Sequence, residues 1–177
     1  MIHFTWQDRF LGLFDKCLAL YRSGHVNWNT YYSAEDLGFL ASIGYKPREF
    51  FDFVEDYGDG APLPPAAALL VAAVRRDYFL YIQNGVPSSQ EIKADDLPPK
   101  PGTSLDNTPY FARIVAKARA KLRGELCPDI MFGCGGDRAF LSERDIHPAD
   151  FLRAVWAAGD DDAKVVEWVH RHGRKAG

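Results

Sequence analysis

The sequence feature that most constrains the fold is an internal repeat. Residues 10–59 align with residues 111–160 without a gap. Proline aligns with proline at Pro47 and Pro148, and Gly58-Asp59 aligns with Gly159-Asp160. Amphipathic helices alone do not require such coincidences, so we predict two copies of one supersecondary unit. The other identical pairs include Phe10/Phe111, Lys16/Lys117, Ala19/Ala120, Arg22/Arg123, Asp36/Asp137, Phe39/Phe140, Leu40/Leu141, Phe50/Phe151 and Val54/Val155.

Within each copy, apolar residues recur at helical spacing between glycine and proline punctuation. In the first copy we predict one helix from Thr5 as N-cap to Gly24, a second after the Ser33 cap, a third opened by Pro47, and a fourth over 66–81. In the second copy we predict helices at about 109–123, 136–144, 148–158 and 161–171, with Asp160 capping the last. Residues 78–82 also have a strand-like pattern, and a hairpin turn at Asn84-Gly85 is the alternative there.

These patterns predict an all-α fold of two tandem pseudo-symmetric helical units, with about four helices each, packed on each other. We expect a first unit at 1–84, a Pro-rich linker at 85–108, a second unit at 109–172, and a basic tail at 173–177. The predicted core consists of Phe10, Phe14, Phe39, Leu40, Phe50 and Val54 with their counterparts Phe111, Val115, Phe140, Leu141, Phe151 and Val155.

Composition narrows the class of protein. The net charge of −3 argues against a dedicated nucleic-acid binder, which usually carries a basic surface. The three cysteines form no Cys-x-x-Cys pair, so we expect reduced thiols in the cytoplasm, no metal and no cofactor. The N-terminal sequence lacks the pattern of a signal peptide, and the longest apolar run, 61–74, is interrupted by prolines, so we expect no membrane span.

The most distinctive stretch runs from Met131 to Asp137 and places three glycines around Cys134. One interpretation is an anion-binding or reactive-cysteine loop at a helix N-terminus. The other is a tight turn in which Cys134 replaces Ser33 as a small cap residue. The Asp137 carboxylate counts against an anion site, because it can itself occupy the positive end of the helix, as Asp36 can in the first unit. The candidate ligand-binding residues, which would line a pocket between the units, are Cys134, Gly135, Gly136, Asp137, Arg75 and Tyr78.

A strongly basic helix is the second candidate feature. Its cations form two rows at i, i+4 spacing, at Arg113, Lys117, Arg119, Lys121 and Arg123. The rows either face a phosphate-rich partner, or they are solvated or paired with the acidic residues of the first unit between Glu49 and Asp59.

The second half of the chain resembles an uncharacterised bacterial family, the domain-of-unknown-function family numbered 5069. The resemblance rests on Lys117–Gly124, the Cys134 loop, Asp137–Leu141 and Val166–Val169, and it is clearest over 109–170. The first half looks like an extended version of the family. The resemblance implies a small soluble bacterial protein, and it brings no activity and no catalytic residue with it.

Two hypotheses about function follow. The first is a binding or interaction module, as a homodimer or with a protein partner, that uses exposed aromatic residues such as Trp28, Tyr31, Tyr32 and Tyr45. The second is a small-molecule enzyme or ligand carrier with its pocket near the Cys134 loop. We favour the module, because the sequence shows no nucleophile–base pair and no metal-ligand set.

Overall fold

A computed structural model describes residues 5–174, and eight α-helices make up most of this part of the chain. They are α1 (Trp6–Arg22), α2 (Ala34–Ser42), α3 (Pro47–Gly58), α4 (Pro65–Tyr81), α5 (Phe111–Arg123), α6 (Gly135–Ser142), α7 (Pro148–Ala158) and α8 (Asp162–His172). The only extended pairing over residues 5–174 is an isolated parallel bridge between Ile92 and Leu126. The predicted all-α class is therefore confirmed. Residues 1–4, and Lys175–Gly177 of the predicted tail, lie outside the described residues.

The chain divides into two units between Val86 and Pro87. In the first unit, α1 packs against α3 and α4. In the second, α7 packs against both α5 and α8. Most of the predicted linker belongs to this second unit, where the Ile92 N–H donates to the Glu125 carbonyl at 2.7 Å and the Ser88 hydroxyl donates to the Glu125 carboxylate. These bonds tie the linker to the segment that follows α5.

Local signals explain where the helices begin. Pro47 and Pro148 stand in the first turns of α3 and α7, where the missing N–H costs no helical hydrogen bond. Ser33 and Asp36 form a capping box at the start of α2, in which each side chain accepts the other residue's backbone N–H. Asp161, and not Asp160, caps α8, because the Asp161 carboxylate accepts the Lys164 N–H.

The helix order agrees with the internal repeat. Ala34 and Gly135 begin α2 and α6 at the same offset that separates Pro47 from Pro148. The fourth helices do not keep this offset, since α4 begins at Pro65 and α8 at Asp162. The helix α4 continues to Tyr81, so the strand alternative for residues 78–82 is wrong. The duplication itself stays a prediction that the helix order supports.

The predicted core is confirmed, because each of its twelve residues is at most 5 % exposed. Phe10 and Phe50 meet edge to face in the first unit with ring centroids 5.0 Å apart, and their counterparts Phe111 and Phe151 are both buried in the second.

The predicted aromatic surface is wrong for two of its four residues, Tyr31 and Tyr45. Tyr31 and Tyr45 are buried, and Trp28 stacks on the buried ring of Phe51. The Tyr32 hydroxyl donates to the Pro47 carbonyl at 2.9 Å. These aromatic residues lie in or beside connecting segments and pack toward the helices, with Trp28 and Tyr32 half-buried.

None of the helices described here combines the length and the apolar character that a membrane crossing needs.

We predict that Phe151→Ala lowers the free energy of unfolding by about 3–5 kcal/mol, the usual cost of removing a fully buried phenylalanine ring. The measurement is urea unfolding followed by circular dichroism. Val26→Ala is the control, since Val26 is 91 % exposed, and it should change stability by less than about 0.5 kcal/mol. Equal unfolding midpoints for Phe151→Ala and the parent would contradict the assigned core.

Candidate functional site

A cluster of four polar side chains lies inside the second unit, formed by Tyr110, Lys117, Cys134 and Asp137. We call it the polar cluster. Lys117 projects from α5, and its Nζ lies 2.6 Å from Asp137 Oδ2 and 3.1 Å from Cys134 Sγ. The side chains of Lys117 and Asp137 are only 4 % and 0 % exposed, whereas Cys134 is half-buried. The cluster therefore combines a buried ion pair with a thiol near the surface.

Asp137 is held by three donors. Its Oδ2 accepts from Lys117 and from the Gly133 N–H at 2.8 Å, and its Oδ1 accepts from the Tyr110 hydroxyl at 2.8 Å. A buried carboxylate needs this compensation, because removing it from water is costly. Asp137 stands in the first turn of α6 and so occupies the positive end of that helix, as the sequence suggested. An external anion at this loop stays a prediction, and Asp137 weighs against it.

The glycines and Tyr110 fit around this carboxylate. A Cβ at Gly136 would lie 2.7 Å from the Tyr110 hydroxyl, so a side chain there would displace the bond to Asp137. Tyr110 itself has a left-handed backbone, with φ of 69°, which is uncommon outside glycine. Burial, together with Asp137 and Cys134, raises the pKa of Tyr110. Its hydroxyl consequently keeps its proton at neutral pH and acts as a donor.

The first unit contains the equivalent ion pair in a different setting. Lys16 Nζ lies 2.7 Å from Asp36 Oδ2, but these side chains are 45 % and 19 % exposed. Ser33 stands where the second unit has Cys134, and it caps α2. Cys134 occupies the N-cap position of α6, yet its side chain makes no capping bond. Cys134 therefore takes the N-cap position of Ser33, as predicted, but its sulfur contacts Lys117 and does not make the capping bond.

Lys117 was assigned from sequence to a basic row on a helix surface, and the structure corrects this. Sequence reasoning missed it as a member of the cluster, although one signal was present. Lysine recurs at Lys16 and Lys117 and aspartate at Asp36 and Asp137, which is the pattern expected of a paired contact repeated in both units.

The three arginines of this helix are also engaged within the second unit. Arg113 donates to the Pro98 carbonyl, and Arg119 donates to the Gly159 carbonyl and pairs with Asp162. Arg123 pairs with Glu125, and Lys121 is buried. The contacts of the three arginines are therefore made within the second unit. A phosphate-rich partner for the row, its solvation and its pairing with the first unit's acidic residues stay predictions.

The remaining predicted site residues fall in two places. Cys134, Gly135, Gly136 and Asp137 lie together at the start of α6. Arg75 and Tyr78 lie on α4 of the first unit, where Arg75 is buried and donates to Gln83 at 2.8 Å. A shared pocket for the six residues stays a prediction.

A second feature of this unit is a groove of about 650 Å³ between α7 and α8. Its apolar lining comes mainly from Ile146, Ala154, Ala157, Ala158 and Trp168. The Trp168 ring stacks on His172 with centroids 4.8 Å apart. Charged residues complete the lining, namely Asp145, Asp150, Arg153, Lys164, Glu167 and Arg171.

Across residues 5–174, no three histidine, cysteine or carboxylate side chains are grouped so as to hold a metal ion.

The residues of the polar cluster and of the groove all lie in one stretch that matches a known family. Residues 96–176 match the domain of unknown function DUF5069. The resemblance seen in the sequence is confirmed over this stretch. No curated protein and no solved structure matches the chain. The DUF5069 match assigns no activity, so the function is unknown.

We predict that Asp137→Asn lowers the free energy of unfolding by about 3–5 kcal/mol at pH 7, because it leaves the buried Lys117 ammonium without its counter-charge. Asp36→Asn is the matched control in the other unit. It removes a more exposed pair and should cost only about 1 kcal/mol. Urea unfolding compares the two, and equal losses would show that burial of the Lys117–Asp137 pair does not determine its effect.

The stability contributed by Asp36 should depend on pH. Burial raises the pKa of Asp36, but hydrogen bonds from Lys16 and Ser33 outweigh it and hold the pKa below 3.8. A carboxyl with a depressed pKa stabilises the fold above its unfolded value, and this contribution is lost as the pH falls through the folded pKa. The stability difference between the parent and Asp36→Asn should therefore shrink below pH 3.8. For Val26→Ala, which removes no titratable group, the difference should stay constant.

Proposed function

We propose that the chain is a helical interaction module and that its α7–α8 groove binds the same groove of a second copy. The observation that carries the proposal is the lining of this groove, in which a small-residue apolar floor is bordered by charges of both signs. A cytoplasmic location belongs to the same proposal and is supported by the three unpaired cysteines.

The floor of the groove suits contact with another helix. Ala154, Ala157 and Ala158 present only methyl groups, which let a second helix approach closely, and Trp168 adds a large ring of the kind enriched at protein interfaces. Each bordering helix has 11 residues, or about 16 Å of length. This length accommodates three turns of a partner helix.

The charges of the groove favour a second copy as the occupant. Asp145, Asp150 and Glu167 balance Arg153, Lys164 and Arg171, so the lining has no net charge when its histidines are neutral. In a two-fold interface the same patch faces itself, which requires both signs of charge to be present. A patch of one sign would repel its own copy, and a nucleic-acid site would be basic.

The ion pairs at the rim can be exchanged between copies. Arg153 and Asp150 are 49 % and 57 % exposed and lie 2.7 Å apart on α7. Arg171 and Glu167 form a similar exposed pair on α8. Exposed pairs contribute little to the stability of a single chain, so re-pairing across an interface costs little.

A chemical role is the second candidate, as a small-molecule enzyme or carrier at the Cys134 loop. The observation that favours it is the 3.1 Å contact between the Lys117 amine and the Cys134 thiol. Native mass spectrometry of the purified protein would report a retained small molecule together with the oligomeric state, and so compares the two candidates directly.

Sedimentation equilibrium tests the proposed self-association. We expect the parent to form dimers as its concentration rises, and Ala157→Arg to remain monomeric because it places a long cation on the groove floor. Ala163→Arg is the matched control, since Ala163 lies on α8, is exposed, and is not part of the groove lining. A parent that stays monomeric, or an Ala157→Arg variant that dimerises like the parent, would overturn the proposal.

A further inference from the structure

We infer that Cys134 and Lys117 form an oxidative modification site, at which a hydroperoxide converts their contact into a covalent sulfur–nitrogen cross-link. This inference does not depend on the groove or on self-association. It assigns a chemical use to the Lys117–Cys134 contact, which the ion pair does not explain.

The geometry places the two reacting atoms together before any oxidation. Lys117 Nζ lies 3.1 Å from Cys134 Sγ, although the residues are 17 positions apart in sequence. The amine is fixed there by the bond to Asp137, which is itself fixed by Gly133 and Tyr110. Held at this distance, the amine reaches the sulfur without the loss of freedom that a bimolecular reaction requires.

Solvent exposure makes Cys134 more accessible to an oxidant than the other two cysteine thiols. Cys134 is half-buried, whereas Cys17 and Cys127 are 0 % and 8 % exposed. Burial raises the pKa of the Cys17 thiol to about 12, so this group stays protonated at neutral pH. A protonated thiol is a poorer nucleophile than a thiolate. A small oxidant such as hydrogen peroxide therefore meets Cys134 first. Lys117, which is almost fully buried, is shielded from larger reagents.

The first step oxidises the sulfur. The Cys134 sulfur attacks one oxygen of hydrogen peroxide, the O–O bond breaks, and a sulfenic acid and water are formed. Sulfur loses two electrons and the peroxide gains them.

The second step consumes the sulfenic acid. Lys117 passes one proton from its ammonium group to Asp137, which lies at hydrogen-bond distance. The nitrogen lone pair then attacks the sulfur, so that the S–N bond forms as the S–O bond breaks. The hydroxyl group leaves as water with the second proton of the nitrogen. Condensation of a sulfenic acid with a nitrogen is established chemistry for backbone amides, and here the nitrogen is a side-chain amine.

The first unit provides the matched comparison. Ser33 stands at the position equivalent to Cys134 and lies beside the Lys16–Asp36 pair. A hydroxyl oxygen does not undergo this oxidation. Cys134→Ser therefore gives the second unit the serine of the first and removes only the oxidisable atom.

The test treats the full chain with hydrogen peroxide and maps its peptides by mass spectrometry without reduction. We expect a species about 2 Da lighter than the parent, because the cross-link removes two hydrogens. One peptide should join Lys117 to Cys134, and dithiothreitol should restore both free side chains. Cys134 recovered as a sulfenic or sulfinic acid with Lys117 unmodified would overturn the inference, as would a cross-link from Cys134 to another residue.

Two variants identify the partners. Cys134→Ser should give no mass loss under the same treatment. Lys117→Arg keeps a cation for Asp137 but lacks the primary amine, so Cys134 should gain oxygen instead of losing hydrogen. Mass loss that persists in either variant would overturn the assignment. The peptide map of the parent decides the question even if a variant does not fold.

Discussion

The arrangement of the second unit depends on one buried ion pair. Lys117 and Asp137 join α5 to the first turn of α6 where almost no solvent reaches either charge. Such a pair is stable only if its remaining hydrogen-bonding capacity is satisfied. This requirement explains the left-handed backbone of Gly133, whose N–H reaches Asp137, and the glycine at 136, which leaves room for Tyr110. The glycine-rich loop is thus shaped by the carboxylate that it surrounds.

The equivalent pair in the first unit, Lys16 and Asp36, shows how burial changes the requirements on the neighbouring residues. Lys16 and Asp36 bridge the corresponding helices at nearly the same distance, but solvent reaches both, and Ser33 supplies the capping bond. At the position of Tyr110 the first unit has Arg9, which lies over the Phe39 ring and bonds to Glu35. An exposed pair tolerates this change, because water solvates whatever the protein leaves unsatisfied. A buried pair does not tolerate such a change, because the residues around it must supply the hydrogen bonds that water cannot.

Much of the fold could be predicted from sequence, because helix boundaries and core positions are encoded locally. Pro47, Ser33 and the spacing around Phe10 and Phe50 each act within a few residues. The site could not be predicted in the same way. Lys117 sits in a row of cations that resembles a solvated face, and its partner lies 20 positions away in another helix. Tyr31 packs on Phe51, which lies at a similar separation in sequence. Helical periodicity carries no information about such partners, whereas the repeat does, since it pairs lysine with aspartate twice.

The position of Cys134 is the point at which a purely structural account of the loop becomes insufficient. A turn before a helix needs a small residue, and an oxygen side chain there stabilises the helix by about 1 kcal/mol through its capping bond. Ser33 makes that bond and Cys134 does not. The helix start at α6 forgoes this stabilisation and relies on Asp137 instead, while the sulfur lies against an amine at the edge of the buried cluster. Serine would serve the turn better, so the thiol is better explained by the chemistry of its contact with Lys117 than by the requirements of the turn.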